Sequence, residues 1–403
     1  MTSLAYAALW VFVFAVPWEN IILIPGIGTI GRLMGMVAVG FALLAALISG
    51  RLRRPGPFLV AAVLFVIWSG IGVFRAADEG RAVEKFGTYF QLLLVLWMIW
   101  ELASTFGRQH GLLLAYVLGA YVSAINTIMA YRSLLGTSAR RFTATNFDPN
   151  DLGMTLALAL PMAWYLGMTH RQPIMRWVCR AYIPIGLVAI GLTGSRGALL
   201  ASIVALLIVP LSMTQLSPGR IVGGIFLIFV SGAAAVSFIP ATSWERFGTT
   251  RREVVDGSGN VNSRLVVWRR GLRAFSRKPI VGYGTSGFNW TVRSQAHNSY
   301  LAVLVEQGII GFAMYMGMFI AVFIQIMRMP TMERRFALVL LATLAVAMLP
   351  LGWDDRKPVW VIPALLAAFA ATLTSRTAGS PQPIPQRLPR RPAMPIARQP
   401  AVS

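Results

Sequence analysis

Acidic side chains are scarce in this sequence. Fourteen aspartates and glutamates stand against 36 lysines and arginines, and lysine occurs only as Lys85, Lys278 and Lys357. One cysteine, Cys179, excludes an internal disulfide and any thiolate metal cluster. Charged residues of every kind make up 12% of the chain, where a soluble domain carries about 25%. The hydrophobic share is 56% and the mean hydropathy is +0.66. No single water-soluble core hides that much apolar surface, so the expected fold is an all-α, polytopic integral membrane protein. The net charge of +22 would suggest nucleic acid in a soluble protein. Here the charge sits mostly between apolar runs and no nucleic-acid-binding motif accompanies it. Membrane orientation and an anionic substrate explain it better. The excess of arginine suits forked contacts to phosphate, although a GC-rich genome gives the same bias.

About twelve spans of the ~20-residue length that a bilayer needs can be read. They fall near 4–17, 27–49, 57–74, 87–104, 110–131, 151–168, 178–193, 197–213, 220–240, 298–327, 334–350 and 358–374. No cationic segment followed by a small-residue cleavage site opens the chain, so the first run is expected to be an uncleaved span. Pro17 and Pro25 should make it irregular. The organisation expected is nine spans over 1–240, a large loop over 241–297, three spans over 298–375 and a proline-rich basic tail over 376–403. That tail should be disordered and should meet anionic lipids of the inner leaflet. Short-loop clusters Arg51/Arg53/Arg54, Arg171/Arg176/Arg180 and Arg328/Arg334/Arg335 fall on one side if each span crosses once. That side should be cytoplasmic, with both termini.

The loop from Ala241 to His297 breaks this pattern. It holds ten basic and three acidic side chains yet should face outward. Within it, Ser263 to Ser276 reads as an amphipathic helix of the kind that lies in a membrane interface. Leu265, Trp268, Leu272 and Phe275 share one face, while Arg264, Arg269, Arg270, Arg273 and Arg277 fill the rest. Pro279 should end it, and Gly282-Tyr283-Gly284-Thr285-Ser286-Gly287 should be a flexible connection. No Gly-Lys-Ser/Thr follows, so this is not a P-loop. Other outward candidates are Asp148-Pro149-Asn150-Asp151, a turn with a helix cap, and Thr193-Gly194-Ser195-Arg196-Gly197, a tight turn in which Arg196 either snorkels or acts. Asp354-Asp355, beside Arg356 and Lys357, should be a solvated charge cluster. His110 and His170 should be solvated at cytoplasmic span ends. His297 is the outward histidine, and either caps the tenth span with Asn298 or serves a site for a polyanion.

Five stretches then resemble one family. They are Asn150-Asp151-Leu152-Gly153 with Pro161; Gly194-Ser195-Arg196-Gly197-Ala198-Leu199-Leu200; Ser263-Arg264 with Trp268; Pro279 with Gly282-Tyr283-Gly284; and His297-Asn298-Ser299-Tyr300-Leu301 with Glu306-Gln307-Gly308. Together they resemble the O-antigen ligase and polymerase superfamily of bacterial inner-membrane glycan transferases. The resemblance implies a helical membrane fold of the GT-C glycosyltransferase type with a large periplasmic loop. It implies a glycan donor on undecaprenyl diphosphate and an acceptor hydroxyl on lipid A-core or another glycan. It implies no cofactor and, in the ligases, no metal. Arg196, Arg264 and His297 correspond to the family's functional positions and are the expected catalytic residues. Arg269, Arg270, Arg273, Arg293, Asn298 and Asp151 are expected to bind substrate. The loop is short for a lipopolysaccharide ligase, which leaves polymerisation of repeat units as the alternative. A transporter or flippase is a different class, and Glu306 within a span is its best support. The alternative bases to His297 are Asp148, Asp151, Asp354 and Asp355.

Overall fold

The computed structural model describes residues 1–134, 141–213 and 259–379, with isolated positions between 217 and 232. Before the large loop come α1 (Thr2–Ala15), α2 (Ile30–Ser49), α3 (Pro57–Val73), α4 (Glu79–Leu102), α5 (Phe106–Ser133), α6 (Pro149–Thr169), α7 (Pro173–Thr193), α8 (Arg196–Leu206) and α9 (Ile208–Met213). The loop contains α10 (Gly259–Arg277) and α11 (Gly287–Val292). After it come α12 (Ser299–Ile326), α13 (Thr331–Ala347) and α14 (Lys357–Gly379). Among the described residues, seven helices are long and apolar enough to cross a membrane: α2, α4, α5, α6, α7, α12 and α14. Shorter apolar helices lie at Thr2–Trp18, Pro57–Val73 and Arg196–Ser212. The span expected at 220–240 lies largely outside the described residues, as does the tail after Gly379 and the loop segment 241–258. The last helix runs past Arg376, where the tail was expected to begin. After α1, a turn of tighter helix at Val16–Trp18 contains Pro17, and a two-residue hairpin pairs Leu23 with Thr29 and Ile24 with Gly28.

Local chemistry sets the helix starts. The side chains of Thr29, Asp78, Thr105, Asp148, Ser195 and Asn298 each accept a backbone N–H from the first turn that follows. Those N–H groups have no partner inside the helix, and a short oxygen-bearing side chain supplies one. α6 is buried on all sides from Leu152 to Gly167, as an apolar helix without a polar face should be. The loops alternate between two ends of the bundle. At one end Arg53 donates to the Trp100 carbonyl, and the Tyr6 hydroxyl donates to the Arg108 carbonyl. At the other end, the turns after α3, α5 and α7 and before α12 and α14 converge.

α12 is broken at Gly308, whose φ of 63° and ψ of −172° are non-helical. Five backbone groups around the break find partners outside the helix. Tyr283 and Gly284 donate to the carbonyls of Val305 and Glu306, at 3.0 and 2.8 Å. Trp68 Nε1 donates to the Gln307 carbonyl at 3.0 Å. Ile309 and Ile310 donate to the carbonyls of Pro279 and Ile280, at 2.8 and 3.4 Å. A Cβ on Gly308 or Gly282 would collide with the facing backbone. The segment from Gly282 to Gly287, expected as a flexible connection, is therefore an integral part of the bundle. Thr285 secures it further: its N–H donates to the Gly72 carbonyl and its hydroxyl to the Ser69 carbonyl at 2.6 Å.

Two histidine and acid expectations also need correction. His110 is 9% exposed, not solvated; it stacks on Phe106 at 4.1 Å and its Nε2 lies 3.3 Å from the Tyr165 hydroxyl. Asp354 is 3% exposed, and its partners are described with the site.

Candidate functional site

The site is assembled where α6, α8, α10 and α12 begin or end together. Gly194, with φ 59°, caps α7 in the left-handed conformation, and Ser195 caps α8, so Arg196 is the first residue of that helix. This turn packs against α6 at Gly153, where a Cβ would lie 2.6 Å from that of Ala198. Arg141 holds the same turn from the other side. Its Nε donates to the Thr193 carbonyl at 2.8 Å and its terminal nitrogen to Asn150 Oδ1 at 2.9 Å. Asp148 caps α6 through Asn150 and Asp151 N–H groups, at 2.8 and 3.3 Å.

α10 brings Arg264. Trp268, one turn later, donates its indole N–H to the Ala296 carbonyl at 3.0 Å, which ties α10 to the residues just before α12. His297 follows, half-buried, with φ 44°. Outside glycine this conformation is uncommon and costs on the order of 1 kcal/mol or more. Asn298, not His297, is the N-cap: its Oδ1 accepts from Leu301 N–H at 3.0 Å. The start of α12 is fixed by Ser299, which donates to the Leu351 carbonyl and accepts from Trp353 N–H, both at 2.8 Å. Trp353 in turn donates its indole N–H to Asp151 Oδ1 at 3.0 Å, and Arg356 lies 3.9 Å from the other oxygen.

The electrostatics show which charges stand together. Burial pushes the Arg264 pKa down, with Arg196 adding to the fall and Asp148 opposing it. Burial also lowers the His297 pKa from its usual 6.5, Arg264 lowers it further, and Asp148 and Asp151 oppose both. The imidazole is therefore held toward its neutral form, mainly by desolvation and secondly by its cationic neighbour. Arg196, Arg264, His297, Asp148 and Asp151 share one electrostatic environment. Asp354 does not belong to it.

The other expected residues spread out. Arg269, Arg270, Arg273 and Arg293 are exposed. Arg269 lines a cleft of about 330 Å³ between α10 and α12, with Leu265, Trp268, Leu272, Asn298 and Phe312. The face of α10 that packs on the protein is Val267, Gly271 and Ala274, against Phe288 and Leu301. That seam also takes in Phe275 of the stripe read in the sequence. Leu272 stays 59% exposed on the open side.

Residues 181–316, from within α7 to the middle of α12, match the family model described as O-antigen ligase. The match covers about a third of the chain and supports the O-antigen ligase family. It supports a membrane enzyme of the O-antigen ligase or polymerase type. No curated protein matches the chain. The matched segment contains Arg196, Arg264, His297 and the Gly308 break. The residues that complete the site from outside the segment are Asp148, Asp151 and Arg141 from the loop before α6 and its first turn, and Trp353 from the loop before α14.

A second polar cluster joins Glu306 of the matched segment to residues outside it, and its pairings were not read in the sequence. Lys85 on α4 sits 2.8 Å from Glu306 Oε2 and 2.9 Å from Asp354 Oδ2. The Tyr89 hydroxyl donates to Asp354 at 2.5 Å, and Trp360 donates to the Asp354 carbonyl at 2.8 Å. Glu306 also accepts from the N–H groups of Ser286 and Phe288, at 3.2 and 3.4 Å, so its carboxylate caps the start of α11. Lys85 directly follows Glu84 in sequence, yet its partners lie over 200 positions away and could not be read. The Glu306 carboxylate, the best sequence support for a transporter, is engaged in this framework. Lys357, next to the acids in sequence, pairs instead with Glu19.

Proposed function

We propose that the chain transfers a glycan from undecaprenyl diphosphate to an acceptor hydroxyl, as a ligase acting at the periplasmic face, with lipid A-core as the acceptor class. The observation that supports this reading is the cluster itself. Two arginines and a histidine held toward neutrality share one end of the bundle with two carboxylates, although the chain separates them by up to about 150 residues. A lipid diphosphate is a leaving group that gathers negative charge as it departs. Arg196 and Arg264 are the cations that would stabilise it, through forked hydrogen bonds that a lysine cannot reproduce.

In this mechanism the acceptor oxygen attacks the anomeric carbon. The bond from that carbon to the diphosphate oxygen breaks, and its electron pair leaves with the phosphate. The acceptor's proton passes to a neutral ring nitrogen of His297, which only an unprotonated imidazole can accept. Asp148 and Asp151 balance the cationic charge and favour the imidazolium that forms. The open cleft beside Arg269 and Asn298 is proposed to seat the apolar part of the donor. Both termini are proposed to lie in the cytoplasm of a bacterial inner membrane.

Deletion of the gene, followed by analysis of lipid A-core and free polysaccharide, tests the reading. Unattached polymer is the result expected for a ligase. Accumulated single repeat units would assign polymerase activity instead. Glycans unchanged in both fractions would overturn the transferase reading.

A further inference from the structure

We propose that Arg75 and Lys278 form a second anion site, which takes a phosphate oxyanion on the flank of the Pro279–Gly282 segment, apart from the Arg196–Arg264–His297 cluster. Arg75 follows α3. Its guanidinium lies over the Trp68 ring, with Cζ 4.8 Å from the ring centre. Its Nε and one terminal nitrogen are buried and meet no hydrogen-bond acceptor. Buried donors without acceptors are costly, and more so when charged. The same guanidinium borders a cleft of about 420 Å³, whose other walls are Lys278 and the residues from Pro279 to Gly282.

The walls contain two cations and no carboxylate. Burial alone acts on the Arg75 pKa, with no contribution from a charged neighbour. Lys278 stands with its ammonium over the Tyr283 ring, 4.9 Å from the centre. One side thus offers a planar fork and the other a point charge, a combination that suits tetrahedral phosphate. The Pro279–Gly282 backbone is immobilised by the α12 break, so the cleft is built before any ligand arrives. Trp68 and the 61% exposed Ile280 add apolar surface at its edge. A phosphate on a lipid headgroup and a free phosphate present the same oxyanion chemistry.

Binding is the readout, so the test does not depend on transferase activity. The full chain in neutral detergent would be titrated with phosphatidylglycerol, followed by native mass spectrometry, and separately with inorganic pyrophosphate, followed by calorimetry. Arg75→Gln and Lys278→Gln should each weaken binding by about tenfold or more, the scale of a lost charge-assisted contact. Arg51→Gln, an exposed charge at the opposite end, should leave binding unchanged. Loss confined to the lipid would identify a headgroup site, and loss confined to pyrophosphate a site for soluble phosphate. Lys278 is exposed, so its variant should retain the wild-type elution profile even if Arg75→Gln does not fold. Wild-type affinity of Lys278→Gln for both probes would overturn the proposal.

Discussion

The two polar clusters of this protein differ in balance and in access. Around Lys85, one cation meets Glu306 and Asp354 at hydrogen-bond distance, with Tyr89, Trp360 and backbone N–H groups taking up further lone pairs. That cluster is buried and excludes additional ligands. Around His297, the imidazole is half-buried next to a cationic neighbour, Arg264, and an open cleft adjoins Asn298. Charge that is saturated and dry holds a fold together. Charge that is partly exposed and mutually repelling is available to an anionic substrate. Breaking each cluster should therefore produce different losses.

The largest effect is expected at His297. His297→Ala should lower transfer of purified lipid-linked glycan by about 10²–10⁴-fold. In the wild type, transfer should fall as pH drops through the His297 pKa, which lies below its usual 6.5, because protonation removes the acceptor of the proton. A pH series in detergent checks this. A low-pH limb that persists unchanged in His297→Gln would assign the titration elsewhere.

At the buried cluster, Lys85→Met strands two carboxylates. It should destabilise the chain by about 3–5 kcal/mol, the range for removing one partner of a buried ion pair. Unfolding in detergent measures it. The combination with Glu306→Gln and Asp354→Asn should recover much of the loss; no recovery would mean that Lys85 acts through packing alone.

A smaller effect is expected for charge-conserving changes at the open cluster. Arg196→Lys and Arg264→Lys should each cost roughly ten- to a hundredfold in transfer, while stability stays near wild type. Equal losses of stability and activity would place these arginines with the buried cluster in role.

The smallest effect concerns Asp148. Asp148→Ala removes the α6 cap, at about 1 kcal/mol, and removes one carboxylate that raises the His297 pKa. The low-pH limb of transfer should then move to lower pH. A shift to higher pH would show that Asp148 does not act on His297 in the way the geometry requires.

Much of this was legible in the sequence because it is local. Most described apolar runs became helices near the expected bounds, though α4 starts eight residues before its expected span, the run at 197–213 is two helices and α12 is broken at Gly308; Asp148 and Asn298 became caps. α10 appeared with its basic face, although its packed seam adds Val267, Gly271 and Ala274 to Phe275 of the expected stripe. Small residues at Gly271 and Ala274 allow close approach there, which a count of large apolar side chains does not register. Arg196, read in a tight turn ahead of a span at 197–213, is the first residue of α8, capped by Ser195. The partners of Glu306 and Asp354 did not follow, since nothing near them in sequence pairs with them.

By itself, the sequence determined a helical membrane chain, several of the caps that start its helices, and a concentration of arginine in the segment that ends at His297. Composition, capping and the bilayer's intolerance of unpaired backbone act on neighbouring residues, so they can be read from neighbouring residues. Only the tertiary structure decided which charges meet. It buried Asp354 against Lys85, left Asp148 and Asp151 beside His297, and threaded Pro279–Gly284 into the break at Gly308. The reason is that burial and charge pairing depend on distances between residues far apart in the chain, and only the packed bundle sets those distances.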